Sequence, residues 1–399
     1  LLVRHSLVYI IGRLVPGLVG VLTTAVLTRL LSPSEYGRYG LALAVMNFAA
    51  TMLFDWLCVA FLRFSHGRRY DGRMIGTIVH IYLVLVGATA LLAVVAWGCG
   101  LVAGAETSIF GAGLLMSWCY AWFELAARFE IADFRPRRYL AMNLARAALI
   151  LGGTTAAARL SGNATWTAFA AAACMLAAGF TGHARSWRIG RGGFDPASAR
   201  MVLGFGAPIA ASLAMSSLIF SGTRGLIALL GGARELGYYT AAFVLIQNAM
   251  TAVAGGIVSA GYSLAVRALE TGDPALVRAQ LEANGTLLMA VLAPIALGIS
   301  LTAPGMTHLF LGANFAPHVC RIAPWMAAGT FLWCVRAHHL DHAFQLGRRP
   351  ALQVRVTGLA AALSLGLSAW LIPWQGAAGV AMAITAAMAV ACVHAWLEG

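Results

Sequence analysis

The stretch "LTRLLSPSEYGRYG" (27–40) carries two arginines, a glutamate, a proline and two glycines between two long apolar runs. It returns about halfway along the chain as "IALLGGARELGYYTAAF" (227–243). At a spacing of 200, Glu35 aligns with Glu235, Gly37 with Gly237, Tyr39 with Tyr239 and Ala42 with Ala242. A second pair of echoes follows the fourth and tenth apolar segments: "FRPRRYLAM" (134–142) and "QLGRRPALQ" (345–353), with Arg-Arg pairs 211 apart. Repeats at corresponding places imply a chain built from two similar halves.

The setting of the repeat is a membrane. Of 399 residues, 60% are hydrophobic and 10% charged, with a mean hydropathy of +0.81, against about 25% charged in soluble domains. A soluble fold of this length has too little interior to hide so much apolar surface. The first apolar segment, about 6–31, is too long for the core of a cleavable signal peptide.

Windows of about 20 residues place about twelve spans at 6–31, 38–62, 75–97, 108–128, 139–160, 165–184, 203–230, 238–264, 284–303, 322–344, 352–372 and 377–397. The expected fold is all-α: two parallel six-helix lobes, 1–184 and 203–399, joined by a cytoplasmic linker at 185–202. An even number of spans per half makes the repeats parallel, an arrangement that suits alternating access about a central cavity.

All 27 basic residues are arginines, giving a net charge of +13. Such a balance can point to nucleic acid, but most of these arginines fall in short loops between spans, where anionic lipid is the neighbour. Every second loop collects them. The opposite loops hold only Arg29, Arg38, Arg159, Arg234 and Arg321. By the positive-inside rule both termini face the cytoplasm. The 7 cysteines are scattered with no C-x-x-C, so neither a disulfide nor a metal framework is expected. No P-loop, H-E-x-x-H or nucleophile elbow occurs, and no cofactor is implied. "HHLDH" (338–342) sets His338 and His342 on one helical face beside Asp341, and reads first as an interfacial anchor.

Ionisable groups inside spans mark cavities or pairs. Four arginines qualify: Arg13, Arg146, Arg224 and Arg336. The acids are Asp55 and Glu124, with Asp341 near an inner end. At ~1.5 Å per residue, Arg13, Asp55, Arg146 and Arg336 all lie roughly 10–12 Å from the inner face, whereas Arg224 lies in the outer half of its span. Arg13 and Asp55, at matched depth, either neutralise each other or face the cavity. Glu124 and Arg128, four apart, pair along one helix. Arg146 and Arg336 have no evident acid of their own and are expected to line a substrate path. A guanidinium fork there suits phosphate.

"GRLVPGLVGVLTTAVLTRLLSPSEYGRYGLALAV" (12–45) closely resembles the N-terminal pattern of polysaccharide-biosynthesis flippases, part of the multidrug/oligosaccharidyl-lipid/polysaccharide exporter superfamily. "GGARELGYYTAAF" (231–243), "FRPRRYLAMNLARAAL" (134–149) and "DHAFQLGRRP" (341–350) look like later landmarks of the same family. The resemblance implies two lobes around a cationic cavity. It also implies transfer of a polyprenyl-pyrophosphate-linked oligosaccharide from the inner to the outer leaflet of the bacterial cytoplasmic membrane. It would place Arg13, Arg29 and Arg224 near the path. Family members often carry Asp-Arg in the seventh span. This chain has Thr223-Arg224, without the acid a cation-coupling pair would use. Membrane lipids are implied partners, with glycan polymerase and glycosyltransferases of the same pathway.

Two other readings compete. A multidrug exporter of the same superfamily would call for unpaired acids within the lobes, and arginines outnumber acids there. A membrane glycan polymerase, ligase or acyltransferase would call for a large outer loop or a clear His/acid site, and only "HHLDH" offers one.

Overall fold

The computed structural model describes residues 2–65, 72–100, 106–182, 193–258, 274–346 and 350–398, with the backbone alone over 2–14. Among the described residues there are 12 helical rods and no strand. They are α1 (Leu2–Leu30), α2 (33–65, interrupted at Phe54), α3 (Gly72–Gly98), α4 (Glu106–Ala132), α5 (Pro136–Ser161) and α6 (Ala164–Phe180). The second set is α7 (196–231), α8 (232–258), α9 (Pro274–Phe310), α10 (316–346), α11 (Pro350–Gln375) and α12 (Ala377–Glu398). Among the described residues, 8 stretches are long and apolar enough to cross a membrane. One of them, Leu213–Val258, contains the turn between α7 and α8. There Gly232 sits at φ +80°, which a side chain would strain. Two shorter apolar helices, Val15–Leu30 and Ala164–Phe180, accompany them. The molecule is an all-α polytopic membrane protein, as composition and spacing predict.

The rods gather into two compact units: residues 1–19 with 38–217, and residues 20–37 with 218–399. Of the linker expected at 185–202, residues 185–192 lie outside the described residues, and 196–202 already belong to the first turns of α7.

In the first unit, Phe54, Leu57, Phe61, Ile75, Ile78, Leu125, Phe129 and Val202 form one buried cluster. The Ala-rich α6 packs beside it by smallness. Ala164, Ala168, Ala171, Ala172 and Ala178 are buried along one face, and a Cβ on Gly179 would come within 2.6 Å of the Trp122 ring. Close backbone approach substitutes here for hydrophobic drive, which lipid does not supply. Asn163 starts α6 by accepting from Thr165 N at 2.8 Å, an N-cap.

Asp195 caps α7. It accepts from the Ser198 hydroxyl at 2.6 Å and from Ser198 N at 2.9 Å. These bonds, the hydroxyl first, hold its carboxyl below the usual carboxylate range. A depressed folded pKa means the stabilisation is present above the unfolded value of ~3.9 and is lost as pH falls through the folded value. The stability difference between wild type and Asp195→Ala, followed by thermal melting, should therefore shrink to nothing at strongly acidic pH.

In the second unit the duplicated stretch meets its own copy. A Cβ on Gly37 would overlap the carbonyl oxygen of Ala233, and one on Gly237 would overlap that of Pro33. The contact is reciprocal at the spacing of 200: residue 37 meets 233, and residue 237 meets 33. Tyr36 and Tyr238 both stand edge-on to Phe315, at 5.6 Å and 5.9 Å. Ser32 accepts from Glu35 N at 3.2 Å, with Pro33 as the first helical residue, so "SPSE" starts α2 as a capping sequence. The Tyr36 hydroxyl donates to Thr24 Oγ1 at 3.1 Å, tying α2 to α1. "GAAGVAMA" (376–383) packs closely: Ala377, Ala378, Val380, Ala381 and Ala383 are buried, and Gly379 lies against the Leu371 carbonyl.

Candidate functional site: the intramembrane arginines

In the first unit two arginines share one acid. Glu124 sits between two guanidinium groups, Arg128 at 3.1 Å and Arg146 at 3.5 Å. The Arg128 pair is the one its four-residue spacing predicts. Arg146 corrects the expectation that it has no acid of its own. It shares Glu124 from a different helix, bonds Asn143 Oδ1 at 3.4 Å and lies over the Phe123 ring at 4.3 Å. Asp55 lies in the field of Glu124 and Arg128 and bonds Thr51. The Arg13 side chain lies outside the described residues, so its pairing with Asp55 stays an expectation.

The second unit holds a further correction. Arg336 is buried, and its Nη1 donates to Asp341 Oδ2 at 3.1 Å and to Thr357 Oγ1 at 3.0 Å. A π turn, Arg336–Leu340, supplies the geometry. In an α-helix residues five apart diverge by ~140°, whereas a π turn bonds i to i+5. Asp341 is thereby committed to Arg336 and not to the histidines, and the rings of His338 and His342 stand 6.3 Å apart. Among the described residues no group of three His, Cys, Asp or Glu could hold a metal ion.

Arg29 serves a helix end. It donates to the carbonyls of Leu309 and Phe310 at 2.8 and 3.0 Å, in the last turn of α9, and to Ala25 O at 2.6 Å. A cation there complements the negative end of the helix.

Arg224 is different. It is 3% exposed, and among the described residues it has neither a hydrogen bond nor an ion pair. Its guanidinium lies 3.7 Å above the centre of the Phe243 ring, within the field of the phenols of Tyr239 and Tyr36. Its Nε is buried without a partner. A desolvated cation–π contact is worth about 2 kcal/mol, while burying an ion costs several. The site is therefore short of a negative charge. Two π turns, Leu218–Gly222 and Ile227–Gly231, flank it, and a third, Phe243–Gln247, begins at the ring beneath it. π turns cluster at functional sites. Phe243 escapes a reading by depth alone, although Arg224 and Phe243 stand nearly symmetrically about the Gly232 turn, which is the signal that would have found it.

A family profile described as "Polysaccharide biosynthesis protein" matches residues 165–320. No curated protein sequence matches the chain. Among solved structures, an inward-facing multidrug resistance MATE family transporter of the MOP superfamily is similar, with TM-score 0.74, 13% identity and 98% of each chain covered. So is the lipid II flippase MurJ in an inward closed conformation, with TM-score 0.77, 10% identity, and 97% of this chain and 86% of that one covered. An outward-facing MATE family transporter follows with TM-score 0.63, 14% identity, and 99% and 93% covered. The fold is thus that of the MOP-superfamily transporters. The polysaccharide-biosynthesis profile matches a segment that is less than half of the chain.

Proposed function

We propose that this protein flips a polyprenyl-pyrophosphate-linked oligosaccharide from the inner to the outer leaflet of the bacterial cytoplasmic membrane, for surface polysaccharide biosynthesis. Both termini face the cytoplasm, and the lobes 1–184 and 203–399 rock by alternating access. No covalent chemistry and no cofactor is required. The observation that carries the reading is the charge balance of the buried arginines. Among the described residues Arg128 and Arg146 share Glu124 and Arg336 has Asp341, whereas Arg224 has no carboxylate partner at all. A diphosphate supplies that charge, and a guanidinium fork is the side chain that best receives it. Arg13, Arg146 and Arg336 line the inner part of the path in this reading. Arg224 takes the head group as the cavity opens outward, and the lipid tail stays in the bilayer. Polymerase and glycosyltransferases of the same pathway are its expected partners.

Purified protein in liposomes carrying a fluorescent polyprenyl-pyrophosphate oligosaccharide tests this. Arg224→Gln should slow flipping by about tenfold or more, the loss expected for one charge-assisted contact, and Arg224→Lys should recover part of it. Wild-type flipping by Arg224→Gln at equal protein level would remove Arg224 from the path.

The likeness to MATE transporters favours a second reading, export of organic cations. Such a substrate needs a carboxylate to meet it. Glu124 and Asp341 are both held by arginine and Asp55 lies in the field of Arg128, which ranks this reading lower. Competition between a cationic dye and the lipid-linked substrate would reverse the order.

A further inference from the structure

We propose that a polar cavity at the turn end of the second unit binds a sugar ring, a uronic acid in preference to a neutral hexose. The cavity, of about 300 Å³, opens where the α7–α8 turn, the start of α10 and the α11–α12 turn come together. Its size is at the lower end for small-molecule sites, ~300–1,000 Å³, which suits a single ring. Glu235, Tyr238, His318, Arg321, Trp374 and Gln375 line it.

The sequence builds the pocket from the second copy of the duplicated stretch. Glu235 reaches the first amide of α12, accepting from Ala377 N at 2.8 Å. That bond locks the turn at Gly376, whose φ of +56° needs a glycine, and holds Trp374 and Gln375 beside it. On the opposite wall the His318 ring is stacked on Tyr238, with centroids 4.0 Å apart and planes 8° from parallel.

Three groups in the cavity have unused capacity. Trp374 is 78% exposed, and among the described residues its ring meets no aromatic neighbour and its N–H no acceptor. Arg321 is exposed and has no ion pair or hydrogen bond among them. The same holds for the Gln375 amide. An open indole face with planar guanidinium, amide and carboxylate groups at its edge matches a sugar, which has an apolar face of C–H bonds and a rim of hydroxyls. Arg321 adds a fork for a carboxylate on the ring.

A membrane-interface belt would also expose tryptophan. Trp370, one turn earlier on α11 and 66% exposed, supplies the contrast, because it does not line the cavity.

The ligand's source rests on the flippase reading, since the ring would belong to the glycan being moved. The test is saturation-transfer NMR with glucose and glucuronic acid on the full chain in lipid nanodiscs. Wild type should receive transfer from both, more from glucuronic acid. Trp374→Ala should weaken both by about tenfold, the scale of one lost aromatic face. Arg321→Gln should remove the preference for glucuronic acid while keeping glucose, and Trp370→Ala should change nothing. No transfer in wild type, unchanged transfer in Trp374→Ala, or an equal loss in Trp370→Ala would overturn the site. The flipping assay above is read separately. Flipping without sugar transfer refutes this pocket alone, and sugar transfer without flipping refutes the transport reading alone.

Discussion

Gly237→Leu should leave little folded protein in the membrane, and Gly37→Leu should do the same. At each position the first added carbon falls on a backbone carbonyl oxygen, Pro33 for Gly237 and Ala233 for Gly37. A backbone carbonyl cannot rotate aside as a side chain can, so α2 and α8 must separate. Overpacking costs about 1–3 kcal/mol and sometimes more, and contacts against backbone belong at the upper end. Separation would also pull Tyr36 and Tyr238 off the Phe315 ring they share. Even Gly→Ala at either site should lower the melting temperature markedly. Because the contact is reciprocal, the double alanine variant should cost less than the sum of the singles: once the helices part, both collisions are relieved together. Gly298→Ala is the control. A Cβ there meets nothing within 4 Å, and alanine is the better helix former. Heating followed by size-exclusion chromatography measures all of these. A Gly237→Leu protein as stable as wild type would mean that the two copies of the motif do not pack on one another.

The second large effect concerns Arg336. Asp341→Ala should destabilise the protein by about 3–5 kcal/mol, the cost of leaving a buried charge without its partner. Thr357 Oγ1 remains 3.0 Å from the guanidinium, but a hydroxyl does not neutralise it. Arg336→Leu with Asp341→Leu should recover most of the loss, because paired apolar replacements of buried ions are often neutral. The same double variant separates structure from transport. Recovered stability with flipping intact would make the pair a packing element, whereas recovered stability with flipping lost would place Arg336 on the substrate path. Equal stability of Asp341→Ala and wild type would show that the pair contributes nothing.

Much of the architecture was legible in the chain, for reasons that lie in the solvent. Every backbone polar group must be satisfied inside a bilayer, so apolar runs of spanning length are helices with few alternatives. Turns carry signatures too: Ser32-Pro33-Ser34-Glu35 has the residues of a helix start, and α2 begins there. The Glu124–Arg128 pair followed from a four-residue spacing on one helix. Arg146 was misread because its acid comes from another helix, and depth along a span says nothing about which helices are neighbours. Arg336 was misread for a local reason: its acid is five residues on, out of reach in an α-helix and within reach in the π turn that the chain adopts there. The stacking of Arg224 on Phe243 needed the hairpin at Gly232 to be folded before the two could meet.

The sequence by itself determined that this is a helical membrane protein carrying a duplicated motif and a surplus of arginine, because composition and repeat spacing are properties of the chain and not of its path. Only the tertiary structure decided that Gly37 meets the segment holding Gly237, and which arginines keep an acid while Arg224, among the described residues, does not. Contacts depend on distance in space, and the residues concerned lie up to 200 positions apart along the chain.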